Sequence, residues 1–268
     1  MKLATADRWL LRSAARGESR NPYAAGWTLT LLWCLLWSND GNCGAPFETD
    51  DPGTIDQGRV EVLLFYQGTL QAQVRDGSLP GLELHIGLLS GLEFDVVAPV
   101  GFSMGGGTAP KRGYGDTTVG VKYRILGETA NVPLVSLVPK VVLPTSGSDA
   151  FGNGGSQAFL AIAALKNLGN FETYCNVGYW LNTGSNNFDY WFVGAQGQYQ
   201  LSDAWTLGGE LFYKSAQSVS APASTGFNVG GYYSLGPRSQ ALFSAGRGLQ
   251  NAAATNRAST YLGVQIAF

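Results

Sequence analysis

Charge is what this chain has least of. Asp, Glu, Lys and Arg make up 13% of its 268 residues, against roughly 25% in ordinary soluble domains. A net charge of −2 and a pI near 5.4 leave no electrostatic basis for nucleic-acid binding. With a single histidine, His85, a multi-histidine metal site is excluded, and Cys34, Cys43 and Cys175 have neither zinc-type nor redox-type spacing. From residue 46 onward no apolar run reaches the length of a membrane helix. What is plentiful is glycine, 37 residues without a three-residue period, and aromatics, 12% of the chain. The first excludes collagen and the second argues against disorder. This mixture is expected where half the side chains face lipid and half face water.

The N-terminus has a different character. Lys2, Arg8, Arg12, Arg16 and Arg20 outnumber Asp7 and Glu18, and an apolar stretch follows over 23–37. It is short for a membrane-spanning helix, which needs about 20 residues, and matches a secretory signal with a basic n-region and apolar h-region. Cys43-Gly44-Ala45 offers small residues for cleavage, although Pro46 follows. The alternatives are a lipoprotein signal at Leu31-Leu32-Trp33-Cys34, disfavoured by bulky Trp33, and a single membrane anchor. The expected organisation is a signal peptide over 1–45, an N-terminal segment over 46–57 and one domain over 58–268.

That domain alternates apolar and polar residues with period two. Thr117, Val119, Val121, Tyr123 and Ile125 lie on one face, and Asp116, Thr118, Gly120, Lys122 and Arg124 on the other. The pattern predicts twelve strands near 58–67, 79–88, 92–101, 115–126, 132–143, 156–165, 171–181, 188–200, 204–215, 225–235, 239–249 and 260–268. Connections after even-numbered strands are short. Those after odd-numbered strands are mostly longer and rich in Gly, Ser, Asn and Ala, as over 102–114, 144–155, 216–224 and 250–259. Soluble sandwiches also alternate, but short turns on one rim and long loops on the other mark an all-β, antiparallel up-and-down transmembrane β-barrel of the bacterial outer membrane. Leu262, Val264, Ile266 and Phe268 end the chain on an apolar face with a terminal aromatic. This resembles the closing-strand signal read by the outer-membrane assembly machinery, and lipid of that membrane is the other partner the exterior implies. Trp180, Trp191, Trp205, Tyr66, Tyr123, Tyr213, Tyr233 and Tyr261 lie near strand ends, where many suit interfacial girdles while some face inward by parity. Two strands stay open. Over 156–165 both faces are apolar, and over 239–249 Arg247 falls outward, so that either a bulge shifts the register there or Arg247 sits at the rim near lipid headgroups.

By parity the lumen receives Arg59, Glu61, Glu83, His85, Glu93, Asp95, Asp116, Lys122, Arg124, Lys140, Glu172, Glu210 and Lys214. These either line a polar pore or pair with one another inside a narrow barrel. Residues 46–57, with Glu48, Asp50, Asp51 and Asp56, either enter the barrel as a plug or lie in the periplasm.

Four stretches carry a family resemblance: Pro46-Phe47-Glu48-Thr49-Asp50-Asp51-Pro52, the run from Gly115 to Arg124, Val142-Leu143-Pro144-Thr145-Ser146-Gly147, and the run from Phe243 to Asn251. Together they resemble the outer-membrane transporter family named after the meta-pathway of phenol degradation, over about residues 46–268. The resemblance implies a Gram-negative outer-membrane barrel and uptake of aromatic or other small hydrophobic compounds. It carries no catalytic or binding motif.

The leading functional expectation is therefore a passive channel for small molecules, without cofactor, metal or catalytic residues, its selectivity set by pore radius and lining charge. Inward Tyr174, Trp180, Phe192, Phe212 and Tyr232 suit either an aromatic ladder or packing. A closed structural or surface-recognition barrel is the alternative, with the glycines at 105–107, Lys111-Arg112 and residues 146–155 as surface loops. An outer-membrane lipid hydrolase would need Ser and His with an orienting partner, and His85 points inward beside Glu83.

Overall fold

The computed structural model describes residues 45–147 and 151–268. The expected signal peptide, except for Ala45, lies outside the described residues.

Strands that cross lipid must satisfy every backbone group within a closed ring. The chain does so with β1 (Val60–Gln71), β2 (Val74–Leu89), β3 (Leu92–Gly105), β4 (Thr108–Tyr114), β5 (Thr117–Leu126), β6 (Leu134–Leu143), β7 (Gln157–Leu168), β8 (Phe171–Asn182), β9 (Tyr190–Gln200), β10 (Trp205–Lys214), β11 (Ser224–Gly236), β12 (Ser239–Gln250) and β13 (Ala258–Ala267). Both β4 and β5 pair with β3, so they form one stave interrupted at Gly115-Asp116, and the ring has twelve staves. Sequential neighbours pair antiparallel, and β1 closes on β13 from Glu61↔Ala267 to Leu70↔Ala258. Phe268 extends this seam, its N–H donating to the Val60 carbonyl at 2.8 Å. A single helical turn, α1 (Ala252–Thr255), lies between β12 and β13.

Parity then sorts the side chains. Leu64, Leu160, Ile162, Leu211, Val229 and Leu262 are exposed on the outside, while Leu63, Phe159, Ala161, Phe212 and Tyr261 are buried within. This resolves both open strands. In β7, Phe159, Ala161, Ala163 and Leu165 face in. In β12, Leu242 and Ser244 face in and Arg247 faces out; the bulge falls at Leu249, beyond Arg247.

The short connections, 90–91, 127–133, 169–170, 201–204 and 237–238, share one rim with the start of β1 and the C-terminus. In outer-membrane barrels this rim is periplasmic; it is the inner rim below. Outward aromatics form two girdles. Phe171, Tyr199, Trp205, Tyr233 and Phe243 lie toward the inner rim, and Tyr114, Tyr179, Trp191, Tyr213 and Phe227 toward the outer. Trp180 and Tyr261 instead turn inward.

The expected long loop over 102–114 is not a loop. β3 runs on to Gly105 and returns as β4, because Gly105, Gly106 and Gly107 all adopt positive φ (106°, 63° and 75°), a conformation that costs glycine little. β1 and β2 likewise meet through Ala72-Gln73. The barrel is therefore taller on the side of β1–β4.

Candidate functional site

The N-terminal segment runs inside the barrel. It enters at the inner rim, where the Gly58 N–H donates to the Gly87 carbonyl at 2.8 Å. A Cβ at Gly87 would overlap the Asp56 carbonyl, so a side chain there would close the entrance. Arg124 donates to the Thr54 hydroxyl at 2.6 Å, and the Ile55 N–H donates to Glu93 Oε2 at 2.8 Å. Ser136 on β6 donates to the Pro52 carbonyl, and Lys140 on the same strand pairs with Asp50. The chain then reaches β10. The backbone N–H groups of Glu48 and Thr49 donate to the two oxygens of Glu210 at 2.8 Å each, and the Thr49 hydroxyl adds a third bond at 2.7 Å. Lys214 pairs with Glu48 at 2.9 Å. Ser244 and Tyr232 donate to the carbonyls of Pro46 and Ala45. Gly194 leaves the space that the Thr49 hydroxyl fills. Since β3 and β10 stand six staves apart in the twelve-stave ring, the segment crosses the lumen from one wall to the opposite one.

Charge is concentrated on the β2–β3–β5 wall. Cross-strand pairing sets His85 beside Asp95, Asp95 beside Gly120, and Glu93 beside Lys122. Buried His85 has Nδ1 2.9 Å from Asp95 and 3.2 Å from Glu93, and Nε2 3.4 Å from Glu83. Lys122 Nζ lies 3.4 Å from Glu93. His85, Glu93 and Asp95 hold donor atoms within 4.8 Å of one another, compact enough for a cation, but the Lys122 ammonium already supplies positive charge there. Glu61 is buried opposite His85 on β1 and accepts from Gln265. Glu172 accepts from Gln198 at 2.6 Å. Asp116 is separate from this group: it sits at the break between β4 and β5 and accepts the Ser146 and Asn153 N–H groups. Within the segment Asp51 is buried, and burial pushes its carboxyl up to about 7 against the opposing pull of Lys122.

The outer half of the opposite wall is aromatic. Phe159, Phe192 and Phe212 form a buried cluster with Val138, Ala161 and Ala163, against which Trp180 packs. Trp180 stacks on Phe159 at 4.6 Å and on Tyr190 at 5.9 Å. Lys214 Nζ lies 5.4 Å from the Phe212 centroid, and Lys140 Nζ lies 5.8 Å from that of Phe159, so each lysine meets both a segment carboxylate and an aromatic face. Between the segment and the wall formed by β2, β3, β5 and β6, a cavity of about 60 Å³ is bordered by Asp50, Glu83, His85, Asp95, Lys122 and Lys140. An apolar cavity of about 150 Å³ is known to admit benzene; this one holds a few waters at most.

Sequence reasoning left Glu48, Thr49, Asp50 and Asp51 without assigned contacts, and missed Phe159 and Ser136 among the inward residues. Phe159 had a signal in its alternation with small Ala161 and Ala163. Ser136 had none.

The family model described as "Putative MetA-pathway of phenol degradation" matches residues 77–266. The chain belongs to this family. The matched region begins within β2 and therefore excludes the threaded segment. An outer-membrane channel from Pseudomonas putida F1 superposes on this family member with a TM-score of 0.68 at 15% identity, covering 80% of this chain and 97% of that one. The KdgM porin in complex with disordered oligogalacturonate gives a TM-score of 0.53 at 14% identity, covering 77% and 99%. No curated protein sequence matches the chain. Such low identities establish a shared fold, that of outer-membrane channels and porins, and the family member described here is a closed β-barrel of the bacterial outer membrane.

Proposed function

We propose that this protein is a channel for the passive passage of small molecules across the outer membrane. Apolar aromatic compounds are its solute class, and residues 46–57 are its plug. The observation that carries this reading is the threaded segment, which joins Glu93 to Glu210 across the lumen beneath an outer half lined by Phe159, Trp180, Phe192 and Phe212. A polar, reversible set of hydrogen bonds suits a part that leaves and returns, and stacked rings suit apolar planar solutes. Glu48 and Asp50 on Lys214 and Lys140 hold the seated form. In this reading residues 1–45 are the exported signal, and the assembly machinery reads the closing strand ending in Phe268.

The test is single-channel conductance of the refolded mature barrel in a planar bilayer, with and without residues 46–57, alongside Gly194→Leu, in which the new side chain evicts Thr49. The expected record is closed or flickering for the intact chain and steadily open for both variants, with liposome uptake of aromatic solutes rising in parallel. Silence in all three, with unaltered heat-modifiable mobility on gels, would overturn the channel and leave a closed structural barrel, the reading that a filled lumen also suits.

A further inference from the structure

Arginine is distributed unevenly over the outside of the barrel. In the strands, outward-facing charge near the outer rim lies only on β2, β4 and β12 among the described residues, and all of it is positive. Arg75 on β2 pairs with outward Met104, Arg112 on β4 with outward Phe102, and Arg247 on β12 with outward Phe227. The irregularity between Ser78 and Gly81 adds one residue to β2 and so reverses its parity. That reversal turns Arg75 out and carries Asp76 to the lumen side. Arg257, just before β13, is fixed by its N–H to the Leu70 carbonyl and by Nη1 to the Ala72 carbonyl, both 2.8 Å.

All four arginines are exposed. Arg75 and Arg247 make no ion pair among the described residues, and Arg112 and Arg257 spend one donor each on a carbonyl, leaving most of each guanidinium fork unused. The strands concerned, β12, β13, β1, β2, β3 and β4, are consecutive in the ring, so the arginines span an arc of about 24 Å at ~4.8 Å per strand.

The height of the arc is as informative as its charge. Arg247 lies directly opposite Phe227, a member of the outer girdle, and Arg112 precedes Tyr114 of that girdle by two residues on the same face. Outward aromatics mark the boundary of the hydrocarbon, so the guanidinium groups of Arg112 and Arg247 stand at and just above it, where lipid phosphates lie, with Arg75 and Arg257 beside them on neighbouring strands. In the outer leaflet those phosphates belong to lipopolysaccharide. We propose that Arg75, Arg112, Arg247 and Arg257 form a binding site for the phosphorylated headgroup of lipopolysaccharide. Several forks presented to one multiply charged headgroup make the site selective for phosphorylated over neutral glycolipid. The assignment is independent of whether the lumen conducts.

The experiment compares lipid retention by the refolded mature barrel, wild type and R75Q/R112Q/R247Q/R257Q, using native mass spectrometry with bisphosphorylated lipid A and its dephosphorylated form. Wild type should prefer the bisphosphorylated lipid. Each arginine removed should weaken that binding roughly fivefold, the worth of one basic residue at an anionic membrane surface, without changing binding of the dephosphorylated form. R75Q/R247Q, which breaks no contact to the chain, serves the same purpose if the fourfold variant fails to fold. Equal binding of both lipids by wild type, or equal binding of bisphosphorylated lipid A by wild type and variant, overturns the site. Complete displacement of the lipid by excess inorganic phosphate would make this a site for soluble anions and overturn the lipid assignment.

Discussion

Two carboxylates receive the N-terminal segment, on opposite walls, and they are satisfied in different ways. Glu93 is flanked by His85 and the Lys122 ammonium and takes one backbone N–H from Ile55. Glu210 has only neutral donors in hydrogen-bond contact: two backbone N–H groups, the Thr49 hydroxyl and the Asn228 amide, the last at 2.6 Å. A buried carboxylate is tolerable only when paired or fully hydrogen-bonded. The barrel meets that condition at Glu93 largely with its own side chains, and at Glu210 mostly with the segment. The first wall is thus partly complete without the segment, whereas the second depends on it.

Three measurements break or sharpen that contrast. Glu93→Ala should do the most damage, because it strands Lys122 and His85 in a buried site; removing one partner of a buried pair costs about 3–5 kcal/mol. Urea unfolding of the refolded barrel checks this, and a loss no larger than that from deleting residues 46–57 would show that Glu93 also serves mainly the segment. Glu210→Gln should cost about 1.5–3 kcal/mol in the intact chain, the worth of hydrogen bonds to a charged group, and almost nothing in a barrel lacking residues 46–57. The same loss in both backgrounds would mean that Glu210 belongs to the barrel wall itself.

The third effect is pH-dependent. Seated Asp51 has its carboxyl raised from 3.8 to about 7, so the seated segment holds that proton more tightly than a released one does. Seating is then firmest below about pH 4, weakens as pH rises toward 7, and changes no further above it. Open probability should increase from pH 5 to pH 8 and lose that increase in Asp51→Asn. A slope that survives in Asp51→Asn would assign the effect to other groups.

Much of this was legible in the chain. Period two is unforgiving, because one residue of slip exchanges the lipid and lumen faces, and the inward positions of His85, Glu93, Lys122 and Glu210 follow from it. Strand ends were less legible. A run of three glycines has the composition of a loop, and nothing local distinguishes it from a two-residue turn at the tip of a long hairpin. Least legible was the course of residues 46–57. Counting charges, an acidic segment has little reason to enter a lumen already rich in acids. Lys140 and Lys214 answer two of the segment's acids, and the rest of the balance comes from backbone N–H groups at Glu48, Thr49 and Ile55, which every residue but proline carries and no composition reveals.

The segment is continuous with β1, separated from it only by Gly58 and Arg59. A partner tied by so short a leash experiences an effective concentration on the order of millimolar. A solute present at trace levels outside the cell therefore gains little by competing for the contacts the segment makes. In the proposed channel, throughput would be governed by how often the tethered segment lets go and how quickly it rebinds, so its transport would saturate according to a clock in the protein rather than its affinity for cargo.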